Sequence, residues 1–384
     1  MIRLILLLAL LASFPPLATD MYLPAIPYLT ELWHLPLSVV NLTLVLFFVT
    51  YCVFLLIYGP LSDRFGRRPP LLAGIVIYIG ASFLCAMANS VEMLIAARIL
   101  QAAGAAAASS ICLAIAKDRL PAKQRQVVLG YIAVIMALAP MISPMIGSLI
   151  MTRFTWHWIF RVQGLMGLVS LIGVIAMKES HTQRTIAPFS EILKPYGRVL
   201  TNRRFLGVVS CTSMIGLPHF AFIAGSSSIY IQDFHLSENS FALYFASNAL
   251  CLMAGSMLCA RLGHRIGTIR MMTIGYLGMI LGGMVMFSGL IKGPLGLALP
   301  MGFISFTGGL SRPPSNNMAL EQVPQDAGTA SSVMVCCYFI LGALSMAAVS
   351  LEWPDKVNYL SILAMISGAL ALGLWTPIKG KLRV

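Results

Sequence analysis

The chain has 384 residues, of which 58% are hydrophobic and only 10% charged, with a mean hydropathy of +0.86. A soluble domain carries about a quarter charged residues, so this composition excludes a chain surrounded by water and describes an integral membrane protein. The formal net charge of +13 does not read as nucleic-acid binding, because the basic residues cluster between apolar runs, where they set topology and meet anionic lipid heads.

A helix needs about 20 apolar residues to cross roughly 30 Å of hydrocarbon. Runs of that length fall at 4–30, 38–58, 69–88, 91–116, 126–152, 157–177, 204–230, 240–261, 271–291, 294–319, 327–350 and 357–377. They are continuous rather than alternating, which predicts an all-α bundle of twelve membrane helices and not a barrel of short strands. The opening MIRLILLLALLA resembles the start of a secretory signal. No small-x-small cleavage site follows before Pro15 and the run continues through LATDMYLPAIPYL, so it is read as a retained first helix. The longest polar stretch, KESHTQRTIAPFSEILKPYGRVLTNRR, separates the sixth and seventh runs. The expected organisation is a six-helix half at 1–178, a cytoplasmic linker at 179–203 and a second six-helix half at 204–384.

Orientation follows the basic residues. Arg3, the Arg64 to Arg68 loop, the Lys117 to Arg125 loop, the linker, the Arg261 to Arg270 loop and the Lys379 to Arg383 tail fall on one side of the membrane. Only Arg153, Arg161, Lys292 and Lys356 fall on the other, so the positive-inside rule places both termini in the cytoplasm. The eight cysteines (Cys52, Cys85, Cys112, Cys211, Cys251, Cys259, Cys336 and Cys337) lie in or beside apolar runs without metal-ligand spacing, and read as small buried hydrophobes.

The two halves share an internal echo. GPLSDRFGRRP (Gly59 to Pro69) follows the second run, and ARLGHRIGTIR (Ala260 to Arg270) follows the eighth; Leu61, Arg64 and Gly66 pair with Leu262, Arg265 and Gly267. A duplicated six-helix unit implies a transporter with its substrate cavity between the halves at mid-membrane. In the first loop the two glycines are expected to allow close helix approach and a tight turn, and Asp63 to pair with Arg64, Arg67 or a neighbouring helix start. The second copy has His264 in place of the aspartate.

GPLSDRFGRRP resembles the signature loop between the second and third helices of the major facilitator superfamily. That resemblance implies a conformational gate on the cytoplasmic face formed by Gly59, Asp63, Arg64, Gly66 and Arg67. LIAARILQAAGAAAAS, from Leu94, is similar to the fourth-helix pattern of drug:proton antiporters, keeping Arg98 and Gln101, with Ala103 at its first glycine. APMISPMIGS (139–148) is similar to the antiporter motif of the fifth helix; Pro140, Pro144 and Gly147 carry it, while Ala139, Ser143 and Ser148 replace three glycines. DMYLPAIP, WHWIF (156–160) and AGTASS (327–332) together resemble the bicyclomycin and chloramphenicol resistance (Bcr/CflA) subfamily.

Asp20 is the one acid deep inside an apolar run. A buried carboxylate costs several kcal/mol unless paired, hydrated or protonated, so it marks a functional site by default. Counting residues at 1.5 Å each puts Asp20 and Arg98 at similar depths, about 10 to 14 Å below the outer surface, so they are expected to meet. A nearby guanidinium favours the charged carboxylate and burial the neutral one, a balance that makes a titratable switch. The mechanistic expectation is a proton taken up by Asp20 outside and released inside; the alternative is a static Asp20 to Arg98 pair. Arg98 likewise reads either as a relay or as a hydrogen-bonded packing element between the first and fourth helices.

Further candidates for the substrate cavity are Tyr22, Gln101, His219, Asn248, Arg312 and Asn316, with Pro24 read as a bend; Asn248, Asn316 and Asn317 read either as substrate ligands or as ties between helices. Arg312 sits about 27 Å along the tenth helix from its outer end, where it either binds a carboxylate-bearing substrate or, as the favoured expectation, snorkels to the cytoplasmic interface. The chain is expected to exchange protons for drug-like amphiphiles; the alternative is a proton-linked carrier of one metabolite such as a nucleoside, sugar or siderophore. No GxSxG, HExxH or paired intramembrane acids supply an enzyme's nucleophile or metal site. No cofactor beyond the proton gradient is expected, nor any nucleic-acid partner. The partners expected are a small molecule, protons and membrane lipid in a bacterial inner membrane, with the protein a monomer.

Overall fold

A computed structural model describes residues 2–180 and 189–381, and among them every regular element is helical. The side chains of Arg3, Lys123, His264 and Lys381, and residues Arg184 and Arg383, which entered the topology and repeat readings, lie outside the described residues. Among the described residues eleven helices are long and apolar enough to cross a membrane, and a twelfth span is the first one, whose parts Leu4–Ala12 and Phe14–Trp33 meet at 42°. The protein is therefore a multi-pass membrane protein with the expected spans: Leu37–Phe65, Arg68–Cys85, Val91–Arg119, Val127–Arg153 and His157–Ile175 complete the first six. Arg203–Asp233, Glu238–Gly263, Thr268–Phe287, Pro294–Glu321, Pro324–Val349 and Lys356–Ile378 form the second six.

The helix starts follow from local chemistry. Ser90 accepts the Met93 amide, Asn202 those of Arg204 and Phe205, Ser237 that of Ser240 and Asp355 those of Val357 and Asn358. Each side chain satisfies amides that have no partner within the helix. The first span bends at Ser13, just before Pro15 and Pro16, and is interrupted again further on; in this second interruption, as in the seventh span, a proline follows. Pro24 follows the turn at Met21 and Tyr22, and Pro218 follows the interruption at Ile215. The seventh span ends in a π-helical turn, Ser228–Asp233.

The chain divides into two compact units, Met1–Pro188 and Phe189–Val384. Inside the first, the fourth span packs against the second and third, and the third against the sixth; inside the second, the tenth packs against the eighth and ninth, and the ninth against the twelfth. The same pairings recur one half-chain later, as the paired loop sequences imply. The loops repeat in backbone as well: Gly66 has φ +94° and Gly267 φ +83°, a region that L side chains rarely adopt.

The segment read as linker contains a helix, Phe189–Thr201, that belongs to the second unit. Arg198 grips Asp326 through both carboxylate oxygens, at 2.7 and 2.9 Å, and Asn202 donates to the Gln322 carbonyl. No disulfide joins any of the eight cysteines among the described residues, and five are buried.

Candidate functional site

The interruption of the first span at Met21 and Tyr22 sets up its site. Where the chain tightens, the Tyr22 amide turns back to the Thr19 carbonyl at 3.2 Å. The carbonyls of Ala18 and Leu17 are taken by side chains from other helices: Arg98 Nη1 donates to Ala18 at 2.9 Å and Gln163 Nε2 to Leu17 at 3.1 Å. A backbone group freed inside a membrane protein must find such a partner, because lipid offers none.

These two side chains belong to one buried polar chain. Arg98 Nη1 also donates to Gln101 Oε1 at 2.6 Å, and Gln101 Nε2 donates to Ser82 Oγ and Gln163 Oε1, both at 2.8 Å. Arg98 is 0% exposed. Its guanidinium stands 4.3 Å from the Phe47 ring centroid, 5.3 Å from Tyr22 and 5.8 Å from Phe160, so ring faces replace part of the lost hydration. Among the described residues its Nε and Nη2 have no hydrogen-bond partner. That edge is the one a carboxylate fills in a bidentate pair.

Asp20 does not fill it. The carboxylate is buried and accepts a 2.9 Å hydrogen bond from the Thr19 hydroxyl, and no ion pair joins it to Arg98 among the described residues. The expected pair is thus corrected: Arg98 spends its inner nitrogen on the broken helix, and Asp20, two residues beyond Ala18, turns to its neighbour. Arg98 here is a hydrogen-bonded packing element between the first and fourth spans. Tyr22 is buried, and its hydroxyl accepts from Thr43 at 3.2 Å.

The helix that carries the fifth span, Ala122–Arg153, runs unbroken through Pro140 and Pro144. Gly147 presses against the first span at its break, where a Cβ would land on the Met21 carbonyl oxygen. The glycine of the antiporter-like stretch thereby seats one residue away from Asp20.

The loop after the second span is an ion-pair hub. Arg67 is mostly buried; it pairs with Asp63, reaches Asp118 at 2.8 Å through Nε, and donates to Ser62 Oγ at 2.7 Å. Burial works against its charge, but the hydrogen bond to Asp118 and the charge of Asp63 outweigh it, so the guanidinium stands above its ordinary value. Glu179, from the end of the sixth span, accepts the backbone amides of Arg67 and Arg68 at 3.0 and 3.1 Å and so caps the third span. A Cβ on Gly66 would come within 2.7 Å of Glu179 Oε2, so this glycine supplies both the positive φ and room for the cap. Arg64 lies over Phe65 at 5.6 Å, outside the hub. Gly59 departs from expectation: nothing lies within 4 Å of where its Cβ would be, so it mediates no close helix approach.

Sequence reasoning missed Asp118, Glu179, Ser82 and Gln163. The first two are acids flanked by the basic loops, in KDR and KES, and charge complementarity along that face would have flagged them. Gln163 is a lone amide in an apolar run, the same signal that drew attention to Asp20.

In the second unit the candidates disperse. Asn248 is buried with its Oδ1 accepting from Ser305 at 3.0 Å, while its Nδ2 and the Nδ1 of His219 find no partner. Asn316 is half-buried on Pro294–Glu321. Arg312 does not reach for the interface: its guanidinium stands 4.0 Å from the Tyr338 ring centroid. Side chains on a helix lean toward its N-terminus, here Pro294, which carries this one toward the middle of the span. A separate cavity of about 420 Å³, lined by Asp233, Phe234, Trp353 and Lys356 among others, includes none of the expected residues. Among the described residues no three His, Cys, Asp or Glu side chains gather as a metal site would require.

Comparison with known proteins places this geometry. The chain is 30% identical over 375 residues to the uncharacterized MFS-type transporter YdgK of Bacillus subtilis strain 168, covering 95% of this chain and 93% of that one. It is 29% identical to a bicyclomycin resistance protein homolog of Haemophilus influenzae, covering 88% and 87% of the two chains. It is 28% identical to a chloramphenicol resistance protein of Pseudomonas aeruginosa, covering 97% and 90%. The solved structure of a D-xylose-proton symporter has the same fold, with a TM-score of 0.77 at 16% identity over 98% of this chain and 97% of that one. A bacterial homolog of the human lysosomal transporter Spinster matches at 0.79 and 13% identity over 99% and 97%. With the family model for the Major Facilitator Superfamily matching residues 8–346, the chain belongs to that superfamily of membrane transporters.

Proposed function

We propose that this protein is a proton-coupled antiporter that exports drug-like amphiphilic small molecules across a bacterial inner membrane, with both termini in the cytoplasm. The observation that carries the coupling is Asp20, a buried carboxyl in the broken first span, two residues along from the Ala18 carbonyl that anchors Arg98, whose Nε and Nη2 edge is unfilled among the described residues. In the arrangement described here Asp20 has no cation to hold it ionised, so it can carry a proton through an apolar site. A movement that brings the carboxylate onto the free edge of Arg98 exchanges that proton for an ion pair. Substrate arrival is one way to drive the movement, because Tyr22 lines both Arg98 and the Asp20 segment.

Export of drug-like compounds is supported by the resistance proteins among the relatives and by the antiporter-like stretch seated on Met21. The inner-membrane location and the cytoplasmic termini are supported by the one-sided basic residues and the bacterial relatives. The test is purified protein in proteoliposomes with an imposed pH gradient, followed for chloramphenicol flux and lumenal pH in wild type and Asp20→Asn. Coupled flux in the wild type with none in the variant supports the proposal. Several unrelated compounds should drive proton movement; a response to one metabolite alone would replace the multidrug reading by that of a narrow carrier.

A further inference from the structure

Arg312 is a cation in the middle of a span without a protein counterion. Among the described residues it forms no ion pair. The sequence explains why, since every acid of the second unit (Glu191, Asp233, Glu238, Glu321, Asp326, Glu352 and Asp355) lies at or beyond a helix end. Tyr338, beneath the guanidinium, lies about 16 Å along its helix from Ala327, too deep for a lipid headgroup. An intramembrane charge faces protein partners or water rather than acyl chains, and Arg312 is partly exposed, so the face that carries it is wet.

The ring that holds it is built in. Tyr338 lies flush on the seventh span at Gly216, where a Cβ would stand 2.8 Å from its Cε2. Its edge meets Phe220 at 5.2 Å, and Phe220 is seated on Gly342, where any Cβ would overlap its ring. Phe339 completes the aromatic group, 5.8 Å from Tyr338. His219, next to Phe220, is within electrostatic range of Arg312 and keeps an unpartnered Nδ1. A guanidinium stacked on a ring still presents its N–H donors at the rim, in the fork that matches a carboxylate. The shelf also adjoins the proline break of the seventh span, and broken helices of this kind frame ligand sites in transporters.

We propose that Arg312, held on the Tyr338 shelf, is an anion-recognition subsite that binds the carboxylate of an aromatic amphiphile, with the partly exposed Phe339 offering ring surface to its apolar body and Phe220 backing the shelf from beneath. The inference deepens the export reading by naming a substrate class, and rests on that reading only for the ligand's being cargo. Binding is measured on purified protein in detergent with two probes of one shape, 1-naphthaleneacetate and its uncharged amide, 1-naphthaleneacetamide.

Wild type is expected to bind the acetate at least tenfold more tightly than the amide. Arg312→Gln should bring that ratio to near one, Arg312→Lys should keep part of it, and Tyr338→Leu, which removes the shelf, should lower it severalfold while Tyr338→Phe retains it. These ratios distinguish recognition from a packing role, which would weaken both probes alike. A wild type that binds the two equally, or binds neither, overturns the proposal, as does an Arg312→Gln protein of unchanged melting temperature that keeps the preference. Export of uncharged chloramphenicol, run in parallel, reads the transport proposal by itself: its absence beside an intact acetate preference removes the export reading and leaves the subsite.

Discussion

Each unit carries an arginine well inside a spanning helix, and the two are accommodated in different ways. Arg98 is sealed from solvent, and one of its nitrogens is committed to the Ala18 carbonyl and to Gln101. Arg312 is partly exposed, rests on one aromatic ring and has no acid partner. The first is woven into the fold, so removing it takes a donor from two buried acceptors, Gln101 Oε1 and the Ala18 carbonyl. The second costs the fold little, which leaves its charge available to a ligand. The contrast teaches that an intramembrane charge is assigned by its surroundings and not by its depth, since both lie far from the ends of their spans.

Substitutions can break or sharpen that contrast. Arg98→Leu removes the donor to Gln101 Oε1 and leaves the Ala18 carbonyl only the long 3.5 Å bond from Gln163 Nε2; at about 1 to 3 kcal/mol for an orphaned buried group and less for one partly satisfied, the loss is on the order of 2 to 4 kcal/mol, read as a large fall in detergent melting temperature. Gln163→Leu frees the Leu17 carbonyl and removes an acceptor from Gln101, for about 1 to 3 kcal/mol; an unchanged melting point would show that the polar chain does not support the broken span. Arg312→Gln loses the contact with Tyr338, worth about 0.5 to 1 kcal/mol, so its melting curve should stay near that of the wild type. Gly59→Ala, which enters open space, should shift stability by less than about 0.5 kcal/mol. If Arg312→Gln melts as early as Arg98→Leu, the two arginines are equivalent and the contrast fails.

Much of the fold was legible in the sequence because hydrocarbon thickness fixes span length, and twelve apolar runs can be counted without knowing how they pack. The repeat was legible because Gly66 and Gly267 both need a backbone that only glycine adopts freely. The candidate site was legible in part. Asp20 and Arg98 stood out as charges among apolar residues, but depth along a helix does not report rotation about its axis. The pairing read from depth therefore missed that the Thr19 hydroxyl and the Ala18 carbonyl compete for the same two groups. Glu179 was hidden for a related reason: its role depends on a contact with loop amides more than a hundred residues away in the chain. The placement of Arg312 followed from the lean of helical side chains and from a ring on another helix, neither of which hydropathy encodes.

The coupling proposal stands on one carboxyl group, and its most direct measurement is proton movement per substrate in sealed vesicles. With an outward-to-inward pH gradient imposed, wild-type protein should change lumenal pH when chloramphenicol is added and accumulate or expel the compound against its concentration. Asp20→Asn, folded and with an unaltered melting temperature, should show neither response while still allowing downhill exchange. Gradient-driven flux surviving in that variant would contradict the account and move the proton to another residue.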